Sequence, residues 1–309
     1  MAKRSRFLNV VEYVLFQLLL IAVRIFPISF SCFIGRQLGK LAFLILKKRR
    51  QLTISNIHVA RENDFFKIEI DERQLAKRVW EHMGMIGSEF LYYYDRKPKV
   101  FREAVHFEGE ENLRRMLARN KGAILVSGHL GNWELLGITL ALWGFKNNPI
   151  VKFQSNGLVD QIIQENRRSL GMGLIDKNGF LRPILAAFKR NEIVTFLIDQ
   201  STRKNGVMVK FFGKEAMIPR GAAEFALKTG APVFTARCLR EKPGDYRVVF
   251  SEEIELIRTG DHQRDVEENT VMFVRLIEDV IKDHPEQWLW MHKLWRGKSG
   301  IIGHKSNSD

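Results

Sequence analysis

Cysteine is scarce in this 309-residue sequence, which contains only Cys32 and Cys238. Two cysteines provide neither a disulfide framework nor a cysteine-rich zinc site, so both of those small-domain classes are excluded. Cys238 ends the mainly apolar run 233–238, which indicates a strand and a structural thiol rather than a nucleophile. The low cysteine content fits a reducing compartment.

Acidic residues are also under-represented. The chain has 49 Lys and Arg against 35 Asp and Glu, so its formal net charge of +14 indicates an anionic partner. Helix-turn-helix, zinc-finger and RNP patterns are missing, and the basic residues cluster beside apolar helices, so we do not expect a nucleic-acid partner. With 45% apolar and 27% charged residues, the sequence excludes disorder and can bury a full core.

The N-terminus lacks an uninterrupted apolar span but has two interrupted ones, residues 7–23 and 30–46. Polar residues break both, for example Glu12 in the first and Arg36 in the second. No small-residue cleavage site follows, so this is not a secretory signal. Because basic residues flank the region on both sides, including the run 47–50, we expect an amphipathic anchor at an anionic phospholipid surface. The alternative is a pair of buried core helices.

The remaining chain alternates short apolar runs with helical patterns. The runs are Ala123 to Val126, Ile150 to Phe153, Ile193 to Ile198 and Val233 to Cys238. The predicted helices are Asp71 to Tyr94, Glu110 to Arg119, Asn132 to Trp143, Leu158 to Leu170, Leu181 to Lys189, Arg220 to Thr229 and Val266 to Lys282. This order predicts an α/β fold, a mostly parallel sheet sandwiched by helices.

One further segment and three boundaries complete the predicted organisation. Residues 245–257 begin with alternating Tyr246, Val248 and Phe250, which predicts an added strand at the sheet edge. We expect a membrane anchor with its basic flank at 1–50, an α/β domain at 51–296 and a disordered polar tail at 297–309.

The segment Gly128-His129-Leu130-Gly131-Asn132-Trp133-Glu134 carries the clearest chemistry. A buried strand leads into a tight turn at His129, and Asn132 is a suitable N-cap for the next helix. Open α/β sheets place ligand sites at such strand ends. On a continuous helix His129 and Glu134 would lie about 140° apart. With His129 on the turn, however, the Glu134 carboxylate can fold back and hold one tautomer of the imidazole.

A histidine held by an acid, without a Ser or Cys nucleophile beside it, predicts a general base for a substrate hydroxyl. The alternative is a capping histidine with a surface glutamate. Backbone N–H groups of residues 128–131 are candidates for an oxyanion hole. We predict neither a metal nor a cofactor.

The His-x4-Glu segment resembles the His-x4-Asp/Glu motif of glycerolipid acyltransferases, in the form found in bacterial lipid A late acyltransferases. Other motifs recur in that family in the same order. They are Asn156-x-Leu158-x-Asp160 with Arg167 and Gly171, Phe196-Leu197-Ile198-Asp199-Gln200, Val209-Lys210-Phe211-Phe212-Gly213, Pro219-x-Gly221 and Gln287-Trp288-Leu289-Trp290-Met291-His292. Ile198 departs from the family, which often has Pro there, and Leu294 stands where a basic residue is common.

The resemblance implies an acyltransferase at the cytoplasmic face of the bacterial inner membrane. It would move a fatty acyl chain from acyl carrier protein to a hydroxyl of a phosphorylated lipid A precursor. His129 would be the general base and Glu134 its partner, while Arg167 and Asp199 match positions tied to the active site.

Three residues are predicted to bind substrate. The Arg167 guanidinium suits a phosphorylated sugar, Asp199 follows a fully apolar strand, and Arg220 opens a helix after Pro219. Each has a structural alternative. Arg167 could be a solvated charge on a helix, and Asp199 could simply begin a turn. Arg220 could be an exposed residue in the first turn of its helix. The tryptophans of residues 288–295 fit either a membrane-interface belt or the core.

Other functions remain open at this stage. The same chemistry serves acylation of another glycolipid or a lysophospholipid. A membrane-tethered thioesterase or hydrolase would use His129 to activate water, and a non-enzymatic lipid-binding protein is a further alternative.

Overall fold

The computed structural model describes residues 6–66, 69–93, 98–153 and 155–295, and it confirms the α/β fold. The helices are α1 Arg6–Ile25, α2 Ile28–Ile45, α3 Lys47–Glu62, α4 Glu72–Tyr93, α5 Pro98–Arg102, α6 Glu110–Leu117, α7 Trp133–Leu142, α8 Gly157–Ser169, α9 Leu181–Lys189, α10 Gly221–Thr229 and α11 His262–Asp283. The strands are β1 Val105–Glu108, β2 Ala123–Ser127, β3 Asn147–Val151, β4 Ile175–Asp176, β5 Ile193–Leu197, β6 Gly206–Phe211, β7 Lys214–Pro219, β8 Val233–Lys242 and β9 Asp245–Phe250.

Seven strands form one sheet in the order β1-β9-β8-β2-β5-β3-β4. The strands β8, β2, β5, β3 and β4 are parallel to one another, whereas β9 is antiparallel to β8 and parallel to β1. Every residue of β2 is buried, as expected for a strand covered by helices on both faces. Because these strands are parallel, their carboxyl ends lie side by side at the same end of the sheet. The candidate site lies at that end.

The predicted strand in residues 245–257 exists as β9, but its predicted position at the sheet edge is wrong. The strand β9 lies between β1 and β8, and β1 forms the edge. With only four residues, β1 is too short for its periodicity to be recognised. The antiparallel hairpin of β6 and β7 is a further element that the apolar runs did not reveal, because its inward residues alternate with exposed ones.

The N-terminal helices pack onto the α/β body through close backbone approach. Gly35 and Gly39 of α2 face Gly84 of α4, and a methyl group at any of the three would collide with backbone carbonyl oxygen of the other helix. Glu81 of α4 accepts a 2.7 Å hydrogen bond from Arg36. The helix α2 is thus held along one face by the protein. The predicted boundary at residue 50 lies inside α3, and the predicted tail at 297–309 lies outside the described residues.

The opposite faces of the first two helices expose large apolar side chains to the surroundings. On α1 Leu15 and Leu18 are about three-fifths exposed, and on α2 the same holds for Leu44 and Ile45. Among the described residues, α2 alone is long and apolar enough to cross a membrane. These exposed faces make the N-terminal region a candidate membrane anchor.

Candidate active site

The site is built on the turn that joins β2 to α7, residues 128–132. The Asn132 side chain accepts a hydrogen bond from Leu135 N at 3.1 Å, which confirms Asn132 as the N-cap of α7. Gly131 adopts φ +59°, and a methyl group there would collide with the carbonyl oxygen of Cys238. Because neighbouring backbone occupies that space, the turn requires glycine at this position.

The His129 imidazole is held by Asp199, which follows the neighbouring strand β5. Nδ1 lies 2.8 Å from Asp199 Oδ1, and the backbone N–H of His129 donates to Oδ2 at 2.6 Å. The Trp288 indole N–H donates to the same Oδ2 at 2.8 Å. The Asp199 side chain is only 1% exposed. A buried carboxylate with three donors is a fixed acceptor, so it sets the orientation of the imidazole.

The electrostatics of this pair favour the charged form of each partner. Burial alone would raise the pKa of the Asp199 carboxyl, but the charge and hydrogen bonds of His129, together with the Trp288 indole, lower it below its ordinary value. Burial alone would lower the pKa of the His129 imidazole. The Asp199 carboxylate and the charge of Glu134 instead raise it above its ordinary value. The ring is therefore a stronger base than a free histidine.

The imidazole borders a cavity of about 820 Å³ at the carboxyl ends of the strands. One part of its lining is apolar and includes Phe180, Leu181, Phe196, Ile198 and Phe225. Another part is basic and includes Lys152, Lys177, Lys204, Arg220 and Lys228. The cavity thus offers a wall for an apolar chain beside a rim for anionic groups.

Glu134 lies in the first turn of α7, as expected, but its partner in the structure is Arg167. The Arg167 guanidinium donates to both Glu134 carboxylate oxygens, from Nη2 at 2.6 Å and from Nε at 3.2 Å. Both side chains are less than one-fifth exposed. This two-pronged ion pair joins α7 to α8 beside the turn. The spacing predicts that Glu134 contacts the His129 ring, but the carboxylate that accepts the hydrogen bond of the ring is Asp199.

Arg220 precedes α10 and lines the cavity that His129 borders. Its guanidinium donates to Glu224 at 2.8 Å and to Gln263 at 3.3 Å. The structure therefore brings His129, Asp199 and Arg220 to one cavity. Arg167 does not line that cavity and reaches the turn through Glu134.

The turn's backbone N–H groups are largely committed within the protein. His129 N donates to Asp199, Gly131 N donates to the carbonyl of Gln287 at 2.9 Å, and Asn132 N donates to the carbonyl of Cys238 at 2.7 Å. The expectation that the backbone N–H groups of residues 128–131 serve as an oxyanion hole is therefore contradicted for His129 and Gly131, and it stays a prediction for Gly128 and Leu130. The Gln200 amide nitrogen, 3.3 Å from both His129 ring nitrogens, is a side-chain donor at the same place.

Several site residues were missed in the sequence. The sequence predicts Trp288 in the core or in an interface belt. Trp288 is buried, and its indole N–H also donates to Asp199. Lys152 and Lys177 directly follow β3 and β4, so a lysine at the end of a strand was an available signal. Among the described residues, no group of three or more His, Cys, Asp or Glu side chains is placed to hold a metal ion.

The sequence is similar to acyltransferases of known families. The family described as bacterial lipid A biosynthesis acyltransferase matches residues 1–297. A lipid A biosynthesis palmitoleoyltransferase of Escherichia coli K12 is 26% identical over 287 residues, covering 91% of this chain and 89% of the relative. A lipid A biosynthesis lauroyltransferase of the same strain is 22% identical over 85% of this chain and 84% of its own length.

A phosphatidylinositol mannoside acyltransferase of Mycobacterium tuberculosis is 29% identical over 141 residues, which cover 44% of each chain. The relatives differ in the acceptor that their names state, and all of them are acyltransferases. Because the family match extends over nearly the whole sequence, the chain belongs to the bacterial lipid A biosynthesis acyltransferase family.

Proposed function

We propose that this protein transfers a fatty acyl chain from an acyl carrier protein thioester to a hydroxyl of a lipid A precursor. The observation that carries the proposal is the contact between His129 Nδ1 and the buried Asp199 carboxylate. With the Nδ1 proton held by Asp199, the lone pair that can take a proton from a substrate in the adjacent cavity is on Nε2. The Gln200 amide nitrogen lies 3.3 Å from Nε2, so the substrate hydroxyl takes the place of that amide contact.

The proposed reaction needs no covalent enzyme intermediate, because a thioester is already activated. Nε2 of His129 removes the proton of the acceptor hydroxyl as its oxygen attacks the thioester carbonyl. The tetrahedral intermediate then collapses, the C–S bond breaks, and the imidazolium returns the proton to the leaving thiolate. The Asp199 carboxylate stabilises the imidazolium between these two proton transfers.

The cavity lining supports the substrate assignment. The apolar wall that includes Phe180 and Leu181 suits an acyl chain, and both side chains are at least two-fifths exposed at the surface. The basic rim, including Lys152, Lys177 and Arg220, suits the phosphates of the acceptor and the acidic surface of a carrier protein.

Arg167 and Glu134 have a different role in this proposal. Their ion pair fixes the start of α7 relative to α8, and the Glu134 charge adds to the raised pKa of His129. Glu134 thus supports the base through geometry and charge, while Asp199 makes the direct hydrogen bond.

The N-terminal helices supply the proposed membrane contact. Their exposed apolar faces adjoin the basic start of α3 at residues 47–50, an arrangement that suits an anionic phospholipid surface. Since α2 lies against α4 through Gly35 and Gly39, the region fits an anchor in the interface better than an isolated span. We place the enzyme at the bacterial inner membrane with its cavity facing the cytoplasm.

The test uses the full chain in detergent with acyl carrier protein thioesters and a tetra-acylated lipid A precursor. We expect His129→Ala to reduce acyl transfer by about 10²- to 10⁴-fold. The control, His106→Ala, makes the same change at an exposed histidine on the edge strand β1 and should keep full activity. Equal activity of wild type and His129→Ala would rule out the proposed base.

A second candidate substrate is a mannosylated phosphatidylinositol, because acyltransferases of that acceptor match 44% of the chain. Both acceptors are therefore offered in the same assay. Product formed only with the mannoside would overturn the lipid A assignment. Release of free fatty acid without any acylated acceptor would instead indicate a thioesterase.

A further inference from the structure

A buried polar cluster lies behind the 128–132 turn, on the side of α4. We call it the buried triad: His82 and Glu89 of α4 and Arg240 of β8. Each residue is at most 8% exposed. Buried charged and polar groups are costly unless they are paired, so a cluster of this kind needs a structural or functional reason.

The bonds within the triad fix the protonation of His82. The Arg240 guanidinium donates to Glu89 from Nη2 at 2.6 Å, and it contacts His82 Nδ1. A guanidinium has no acceptor, so Nδ1 accepts and the proton of the neutral ring is on Nε2. Burial and the Arg240 charge lower the pKa of His82 well below its ordinary value. His82 is therefore a neutral ring with one N–H to donate.

That N–H is directed at the turn. His82 Nε2 lies 3.2 Å from the carbonyl oxygen of Gly131, two residues after the proposed base. The Glu89 carboxylate accepts a 2.7 Å hydrogen bond from the Asn132 side chain, whose oxygen caps α7. The triad thus holds Gly131 through its carbonyl and Asn132 through its side chain.

A second chain of hydrogen bonds connects Arg240 to the 128–132 turn. The backbone N–H of Arg240 donates to Gln287 Oε1 at 3.1 Å, and the carbonyl of Gln287 accepts from Gly131 N at 2.9 Å. Gln287 is followed by Trp288, the indole donor to Asp199. Through Gln287, Arg240 is therefore connected to Gly131, two residues after His129, and to Trp288, which holds Asp199.

We propose that the buried triad positions the catalytic turn, with His82 as the residue that sets the Gly131 carbonyl. The inference rests on the proposed role of His129 as general base. Misplacing a catalytic group by about 1 Å costs on the order of 10²-fold in rate. Loss of the His82 N–H should therefore lower kcat, while the cavity lining and hence KM stay unchanged.

The test compares His82→Met, which lacks the donor, with His82→Gln, whose amide can donate to the same carbonyl. We expect His82→Met to lower kcat about 10- to 100-fold with KM within about twofold of wild type. His82→Gln should recover most of this loss. Leu113→Ala, a cavity-forming change in α6 away from the turn, controls for lost stability alone.

Wild-type kcat in folded His82→Met would overturn the proposal, as would a loss no larger than that of an equally destabilised Leu113→Ala. If His82→Met fails to fold, Glu89→Gln combined with Arg240→Met removes the buried charges together and takes the guanidinium donor away from His82 Nδ1, so the ring proton is no longer fixed on Nε2. We expect kcat to fall with KM unchanged, and wild-type kcat in this variant would also overturn the proposal. His129→Ala is measured in parallel. An active His129→Ala refutes the general base, whereas an inactive His129→Ala beside an active His82→Met refutes only the positioning role.

Discussion

Asp199 accepts two hydrogen bonds from His129, one from its backbone N–H and one from its imidazole. The register of the sheet explains how they meet. Ser127 of β2 pairs with Leu197 of the parallel neighbour β5, and His129 and Asp199 each come two residues later. A methyl group at Gly128 would lie 3.0 Å from Asp199 Oδ2, so glycine there allows the carboxylate to approach the turn. Paired strand ends thus bring together the proposed base and the carboxylate that orients its ring.

Asp199→Asn should abolish most of the activity while leaving the fold intact. An amide can donate to Nδ1 and leave the proton on Nε2, which is the wrong tautomer for a base, so we expect kcat to fall by about 10³- to 10⁴-fold. The control is Asp279→Asn, the same change at an exposed position of α11. Steady-state acyl transfer measures both variants. Near-normal kcat in Asp199→Asn would mean that another group orients His129.

The pH dependence of acyl transfer should report the raised pKa of His129. A general base acts when it is deprotonated, so activity should rise with pH through an inflection above 6.5, the ordinary histidine value. Trp288→Phe removes one donor from Asp199 but keeps an aromatic ring. It should therefore alter the inflection without abolishing transfer. An inflection at or below 6.5 in the wild type would contradict the pairing.

The same pair sets a window of stability. Because the folded-state pKa of His129 is raised, its contribution to the free energy of unfolding is complete below 6.5 and is lost as pH rises through the folded value. For Asp199 the folded pKa is lowered, so its contribution is present above 3.8 and is lost as pH falls through the folded value. The free energies of unfolding of wild type and His129→Gln, measured with denaturant, should therefore differ most between pH 3.8 and pH 6.5. A difference that does not vary with pH would contradict this account.

The helix packing of the N-terminal region can be tested with glycines. Gly39→Ala places a methyl group against the carbonyl oxygen of Trp80, so we expect α2 to separate from α4 and stability to fall by about 1–3 kcal/mol. Gly87→Ala is the matched control, since it lies in α4 with no atom near the added methyl group. It should be neutral or stabilising by about 0.5–1 kcal/mol. Thermal unfolding in detergent compares them, and equal midpoints would refute the packing.

Local features of the sequence were sufficient to predict the turn but not its partners. The glycines and the cap at Asn132 act within a few residues, so pattern alone placed His129 at a strand end. Asp199 was placed at another strand end, yet its contact with His129 depends on β2 and β5 being neighbours. Strand order is set by distant pairing, which no local pattern encodes. The same reason explains why the sequence pattern wrongly predicts β9 at the edge of the sheet.

Contacts between residues far apart in the chain were even harder to predict from the sequence. The Trp288 indole reaches Asp199 from an irregular segment after the 3-10 turn Pro285–Gln287, where neither helix nor strand periodicity applies. Spacing within one segment suggested that Glu134 would contact His129, because Arg167 is too far along the chain to be considered as its partner. In the structure the Glu134 carboxylate instead forms an ion pair with Arg167. That pairing depends on how α7 and α8 pack against each other.

A double-mutant cycle on Glu134 and Arg167 tests whether this ion pair is more than a surface contact. Glu134→Gln and Arg167→Gln should each destabilise the protein, and the double variant should lose less than their sum. Because the pair is two-pronged and largely buried, we expect a coupling free energy of about 1–3 kcal/mol. The exposed pair Glu110 and Arg114 of α6 is the control and should couple by about 0.3–0.5 kcal/mol. Equal coupling in the two cycles would show that the Glu134–Arg167 pair does not hold α7 to α8, and the role proposed for it beside His129 would have to be abandoned.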